Sequence, residues 1–97
     1  MEIASSIKGV PIRLTDERWA HIIGNHDDLT DRADEVLDAV AHPAWVTRGY
    51  GGTLIAWKPF GHGRFMSVVY KELGVSDGFI VTAFFTTKAR KENKVWP

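Results

Sequence analysis

The spacing of apolar residues changes character at Pro43, and that change limits the folds open to this chain. Before it, Trp19, Ile22, Ile23 and His26 recur at three- and four-residue intervals, as do Ala33, Val36, Leu37 and Val40. Such intervals put side chains on one face of a helix. After it, segments such as 64–71 and 79–87 are rich in β-branched and aromatic residues and are separated by glycine-bearing turns. That is the pattern of successive strands. A chain of 97 residues holds one domain, 1–97, and the order of its patterns predicts the α+β class. There is no cysteine, so packing must hold the fold, with four Trp, two Tyr and five Phe to supply it.

Residues 3–14 read as an N-terminal strand or extended arm, kept to an edge by Gly9 and Pro11. Thr15 is a helix cap followed by Asp16 and Glu17, and the helix should reach Asn25 or His26. After a break, Thr30 should cap a second helix that ends at His42-Pro43, because a residue before proline avoids the α region. Strands are expected over 45–50 and 53–58 around the Gly51-Gly52 turn, then over 64–71 and 79–87. Residues 59–63 should form a loop, and 88–97 a basic tail with a short strand or arm ending at Trp96. Short connections make the last four strands antiparallel neighbours. The expected architecture is two N-terminal helices on one face of a four- to five-stranded, mainly antiparallel sheet, with the other face partly open.

Net charge is zero, yet its distribution is uneven. Residues 1–44 carry four basic side chains (Lys8, Arg13, Arg18, Arg32) against nine acidic ones, and residues 45–97 carry eight against three. The asymmetry suits an anionic partner for the second half. It also follows if acidic residues simply favour helix surfaces while Lys and Arg decorate strands and tails. The N-terminus lacks the basic and apolar regions of a signal peptide, and no apolar run approaches the ~20 residues of a membrane span. A cytoplasmic location without membrane contact is the expectation.

His26, on the apolar face near the first helix's end, suits proton transfer at the helix–sheet edge, though a semi-buried structural histidine would sit there too. His21 lies about 200° around the helix from Trp19 at ~100° per residue. Their five-residue separation is not the i, i+4 spacing of joint metal ligation. His42 sits at a helix end and His62 in a glycine-flanked loop. Arg48, Lys58, Arg64 and Lys71 are spread over candidate strands, and alternation puts Phe65, Ser67, Val69 and Lys71 on one face. Ile80, Thr82, Phe84 and Thr86 should likewise share a face. Cations and hydroxyls brought together there would grip a phosphate, or would form a solvated surface. Thr86-Thr87-Lys88 with Arg90-Lys91 reads equally as a phosphate-binding run or a soluble tail. Nucleotide-binding glycine loops, HExxH, GxSxG and carboxylate clusters are all missing, and no metal or cofactor is expected.

Residues 14–88 resemble small domains of phage and mobile elements grouped with barnase, EndoU, colicin-type tRNases and RelE as BECR-fold nucleases. The resemblance is carried by Leu14-Thr15, Trp19-Ala20-His21-Ile22, His26, Glu35-Val36-Leu37 and His42-Pro43-Ala44-Trp45-Val46. It continues in Val68-Val69-Tyr70-Lys71 and Gly78-Phe79-Ile80-Val81-Thr82-Ala83-Phe84. Family members often carry proline after the second histidine, where this chain has Asp27. The resemblance implies a RelE/BECR-like fold and metal-independent cleavage of tRNA or mRNA by 2′-hydroxyl attack, with a neutralising antitoxin as a protein partner. His21 and His26 would then transfer protons, with Lys71 and Thr86 completing the catalytic set. Arg48, Arg64, Thr82 and Lys88 would bind the substrate. The alternative is an inert module of the same fold that recognises a protein or nucleic acid.

Overall fold

The computed structural model describes residues 1–97. Its elements are β1 (Glu2–Ser5), β2 (Pro11–Leu14), α1 (Asp16–Asn25), α2 (Ala33–Ala41), β3 (Trp45–Arg48), β4 (Leu54–Gly61), β5 (Arg64–Glu72), β6 (Gly78–Thr86) and β7 (Lys94–Trp96). The class is α+β with two helices, but the sheet differs from the expected one. Seven strands form a mixed sheet in the order β1-β2-β6-β5-β4-β3-β7. Strands β3 to β6 form the antiparallel run expected from their short connections. The additions lie at its two ends. Gly9, at φ 79°, does not merely weaken an edge arm but lies in the turn between two strands that fold back as a hairpin; Pro11 opens the second of them, and β2 joins β6 in parallel through Arg13 and Phe79. At the opposite end the basic tail returns as a short strand ending at Trp96, β7, which pairs with β3.

Local chemistry explains the helix boundaries. The Thr15 hydroxyl accepts the Arg18 N–H at 3.1 Å and caps α1. Thr30 does not cap α2: its hydroxyl donates to the Asp27 carbonyl at 2.7 Å, closing a short 3-10 turn over Asp27–Leu29. Asp31 then adopts φ 66°, so the second helix begins only at Ala33. The loop expected at 59–63 shrinks to a two-residue hairpin turn at His62-Gly63, because β4 runs on through Pro59 to Gly61.

Both helices bury their apolar stripes on one sheet face. Ile22, Val36, Ala39 and Val40 meet Ala56, Met66, Val68, Tyr70, Ile80 and Ala83, and Ile12 and Leu14 extend this core under the hairpin. A register shift in β6 opposite Val69 and Tyr70 splits the face that simple alternation would assign. Ile80 turns to the core opposite Tyr70, while Thr82, Phe84 and Thr86 pair with Val69, Ser67 and Phe65 on the other face. The Tyr70 hydroxyl is buried without a partner; burial first, then the Glu72 charge, raises its pKa.

The hairpin is riveted by side chains to the end of β5 and to the turn that leads into β6. Arg13 donates twice to Asp77, Nε to Oδ1 at 2.8 Å and Nη2 to Oδ2 at 3.0 Å. Ser6 donates to Glu72 at 2.8 Å. Gly78 allows the close approach this requires, since an added Cβ would lie 2.6 Å from both Ile12 Cδ1 and the Lys71 carbonyl oxygen.

A backbone oxygen cannot retreat as a side-chain tip can, so Gly78→Ala should destabilise the fold by about 1–3 kcal/mol in chemical denaturation. Gly24→Ala, on open helix surface, should instead gain about 0.5 kcal/mol. The hydrogen bond from Arg13 holds the Asp77 carboxyl below its ordinary range; desolvation opposes this, and the Arg13 charge and the Gly78 N–H reinforce it. A depressed folded-state pKa gives stability that is present above the unfolded value near ~4 and lost as pH falls through the folded one. Asp77→Asn should therefore flatten the acid limb of a stability-versus-pH curve; superimposable limbs would refute the role.

Candidate functional site

The sheet face away from the helices is crossed by the chain itself. To pass from β6 to β7, residues 87–93 must span β5, β4 and β3, about 19 Å at ~4.8 Å per strand. The crossing segment is pinned midway: Trp45 Nε1 donates to the Arg90 carbonyl at 2.7 Å, and the Lys91 ammonium sits 5.1 Å from the centre of the Trp45 ring. Beyond it the Arg48 N–H donates to the Asn93 carbonyl at 2.9 Å. Beneath this strap Trp45 stacks on Trp57 at 6.2 Å and meets Phe65 edge-on at 5.6 Å. Trp57 Nε1 donates to Thr47 Oγ1, and both residues are buried although they lie on the face without helices.

Strap and sheet border two open hollows that run into one another, and a third opens at the end of β6. The largest, about 770 Å³, is lined by Thr47, Arg48, Gly49, Tyr50, Thr53, Ile55, Val69, Val81, Arg90 and Glu92. It shares Ile55 and Arg90 with a middle hollow that adds Trp57, Phe84, Thr86, Lys88 and Ala89. Thr86 and Lys88 continue into a third with Arg64, Phe85 and Thr87. Along the first two hollows stand Arg48, Lys88 and Arg90 with one carboxylate, Glu92, while a fourth cation, Arg64, borders the third from the helix side of the sheet. None of the four forms an ion pair. The pairs in the molecule tie the N-terminus to Asp16, Lys8 to Glu72, Arg13 to Asp77, Arg32 to Glu35 and Lys58 to Asp38, all elsewhere.

The anticipated residues distribute unevenly. Arg64, Thr86 and Lys88 line one hollow. The Thr86 hydroxyl accepts the Lys88 N–H at 3.0 Å, which leaves its own O–H free to donate. Arg64 is also held by aromatic faces, 4.6 Å from the Phe85 centroid and 5.6 Å from that of Phe60, with Arg32 stacked on the same pair. Thr82 lies two residues from Phe84 on the same face. His26, half-buried where α1 ends, has its ring 6.1 Å from that of Phe84 beside the free edge of β6, but it lines none of the three hollows.

Lys71 and Arg48 lie towards the opposite end of the groove. Lys71 pairs with Phe79 on β6, about 16 Å along that strand from Phe84 at ~3.3 Å per residue, and its Cε lies under Gly52. His21 stands apart, exposed on the outer side of α1 in a shallow hollow with Thr15, Glu17 and Arg18. The two histidines therefore do not share one site. His62 is an exposed turn residue with φ 55°, and His42 faces a separate hollow with Ser5 and Trp96. Tyr50, Glu92 and Trp57 were not singled out by spacing. Arg90 lay in a run that read equally as phosphate-binding or as a soluble tail, and only the crossing brings it over the sheet. No group of His, Asp and Glu could hold a metal ion.

Comparison with protein-family models, with curated proteins and with solved structures gives no match. No helix is long and apolar enough to cross a membrane.

The strap depends on Trp45. Trp45→Ala removes both its hydrogen-bond donor and the ring under Lys91, so trypsin should cut after Lys88, Arg90 or Lys91 at least several-fold faster than in the parent. Equal cleavage rates, read by mass spectrometry of a folded sample, would show that the strap is held by other means.

Proposed function

We propose that this chain is a metal-independent ribonuclease of toxin type that holds RNA along the strapped face of its sheet. The observation that carries the reading is the set of unpaired cations, Arg48, Lys88 and Arg90, lining the hollows along the strap in a protein of zero net charge. Cations left without carboxylate partners along a path suit a polyanion, because phosphate takes the place of the absent partner. Aromatic faces beside them suit bases.

The groove's central portion suits cleavage as well as binding. Neutral His26 takes the proton of a 2′-hydroxyl, and the oxygen attacks the adjacent phosphorus. The P–O5′ bond breaks, the departing oxygen takes a proton from water, and a 2′,3′-cyclic phosphate remains. The resulting hydroxide is neutralised by the imidazolium. Thr86 and Thr82, on either side of Phe84, donate to phosphate oxygens, while Lys88 and Arg90 offset the charge of the crowded phosphorus. Arg48 and Lys71 hold a neighbouring phosphate at the far end. The resemblance to BECR-fold nucleases supports the same chemistry. It further implies cytoplasmic tRNA or mRNA as substrate and a neutralising antitoxin as partner.

The outward placement of His21 favours a second reading, an inert module that binds RNA without cutting it. The two separate in one assay. An unstructured RNA incubated with the protein in EDTA should yield fragments ending in cyclic phosphate, and His26→Ala should slow their release about a hundredfold or more. Intact RNA from folded parent protein would discard the nuclease and leave the binding module.

A further inference from the structure

Tyr50 is 98% exposed, the most exposed of the large hydrophobic side chains, although it stands at the mouth of the largest hollow. A ring left in water contributes little to folding, yet its backbone is closely specified. The Gly49 N–H donates to the Thr53 carbonyl at 2.8 Å, and the Thr53 hydroxyl donates to the Tyr50 carbonyl at 2.7 Å. Gly51 and Gly52 follow at φ 68° and 78°, values that suit glycine and let the turn close under the ring. An added Cβ at Gly49 would lie 2.4 Å from Thr53 Oγ1, so the turn packs tightly on its own strand. The molecule thus fixes the base of an aromatic side chain and leaves its faces free.

Around it are the groups a nucleotide needs. Arg48 and Arg90 line the same hollow, Ile55, Val69 and Val81 give it an apolar floor, and Lys71 reaches under Gly52. We infer that Tyr50 is a stacking platform for one unpaired base, whose flanking phosphates lie on Arg48 and Arg90, so that the groove selects single-stranded over duplex RNA. The inference rests on the RNA reading above and deepens it. Stacking needs a free base face, and in a duplex each base face is already covered by its neighbour. A side chain on a pre-ordered turn also loses little freedom on binding, which keeps the gain from stacking.

The test measures binding by fluorescence anisotropy in a His26→Ala background, so that the RNA stays intact, using a labelled unpaired oligonucleotide and a blunt duplex of the same length. The single strand should bind more tightly than the duplex. Tyr50→Ala should weaken single-strand binding about tenfold and leave duplex binding unchanged, while Tyr50→Trp should retain it. Unchanged single-strand binding by Tyr50→Ala, or equal losses on both RNAs, would overturn the platform while the RNA reading stands. If the His26→Ala parent binds neither RNA at low salt, the proposed function itself fails, and the platform with it.

Discussion

The arrangement of the site depends on a short junction, the parallel pairing of β2 with β6 at Arg13 and Phe79, reinforced by the two hydrogen bonds from Arg13 to Asp77. A parallel pair needs a long connection between its strands, and here nearly the whole domain supplies it. Because β2 ends just past the junction, the rest of β6 has no strand neighbour on that side. The helix α1, starting one residue after β2, packs along that vacant edge with Ile22 in the core. His26 is carried to Phe84 as a consequence. A β2 several residues longer would have paired with the upper half of β6 and kept the imidazole away from Phe84. The bidentate pair is partly exposed, so its contribution is register rather than bulk stability.

The opposite boundary of the site follows from aromatic packing. A β-sheet face without helices would expose Trp45, Trp57, Phe65 and Phe84 together, a surface that soluble domains seldom leave bare. Stacking of the two indoles covers part of it, and the strap covers more, with its backbone satisfied by Trp45 Nε1 and its cationic side chains left to line the rim. The same segment therefore shields apolar surface and supplies positive charge. Its residues could not do both as a free tail.

Much of this was legible in the sequence where the determinant is local. The Thr15 cap, the helical stripes and the four strands after Pro43 are set by residues within a few positions of each other. Whatever depended on distant partners was not. The register shift in β6 arises from pairing with β5, and nothing near Val81 marks it. The hairpin of β1 and β2 and the return of β7 enlarge the sheet to seven strands because edge strands are short, and each carries too few alternating residues to stand out. Thr30 looked like a cap because the left-handed turn at Asp31 leaves no local signature. The groove's cations were individually visible, but as separate strand and tail residues; Arg48 and Arg90 are 42 positions apart and become neighbours only through the crossing.

The zero net charge of the chain also acquires a spatial meaning. Eight of the nine acidic residues of the N-terminal half lie on α1, on α2 or in the turn between them, on the helical side of the sandwich. Lys88, Arg90 and Lys91, which lack carboxylate partners, lie on the strap over the other side, while Arg64 stays on the helix side with Phe60 and Phe85. Two layers of opposite sign about 10 Å apart make a dipolar molecule, whose field turns an approaching polyanion toward the strapped face and repels it from the helices. Exposed charges act over roughly 8 Å at physiological ionic strength, so the separation of the layers is large enough for the negative side not to cancel the positive one at the groove. A uniformly basic domain would attract a polyanion anywhere on its surface. Segregating the charge would instead direct such attraction to the one face where the two threonines and the aromatic rings stand.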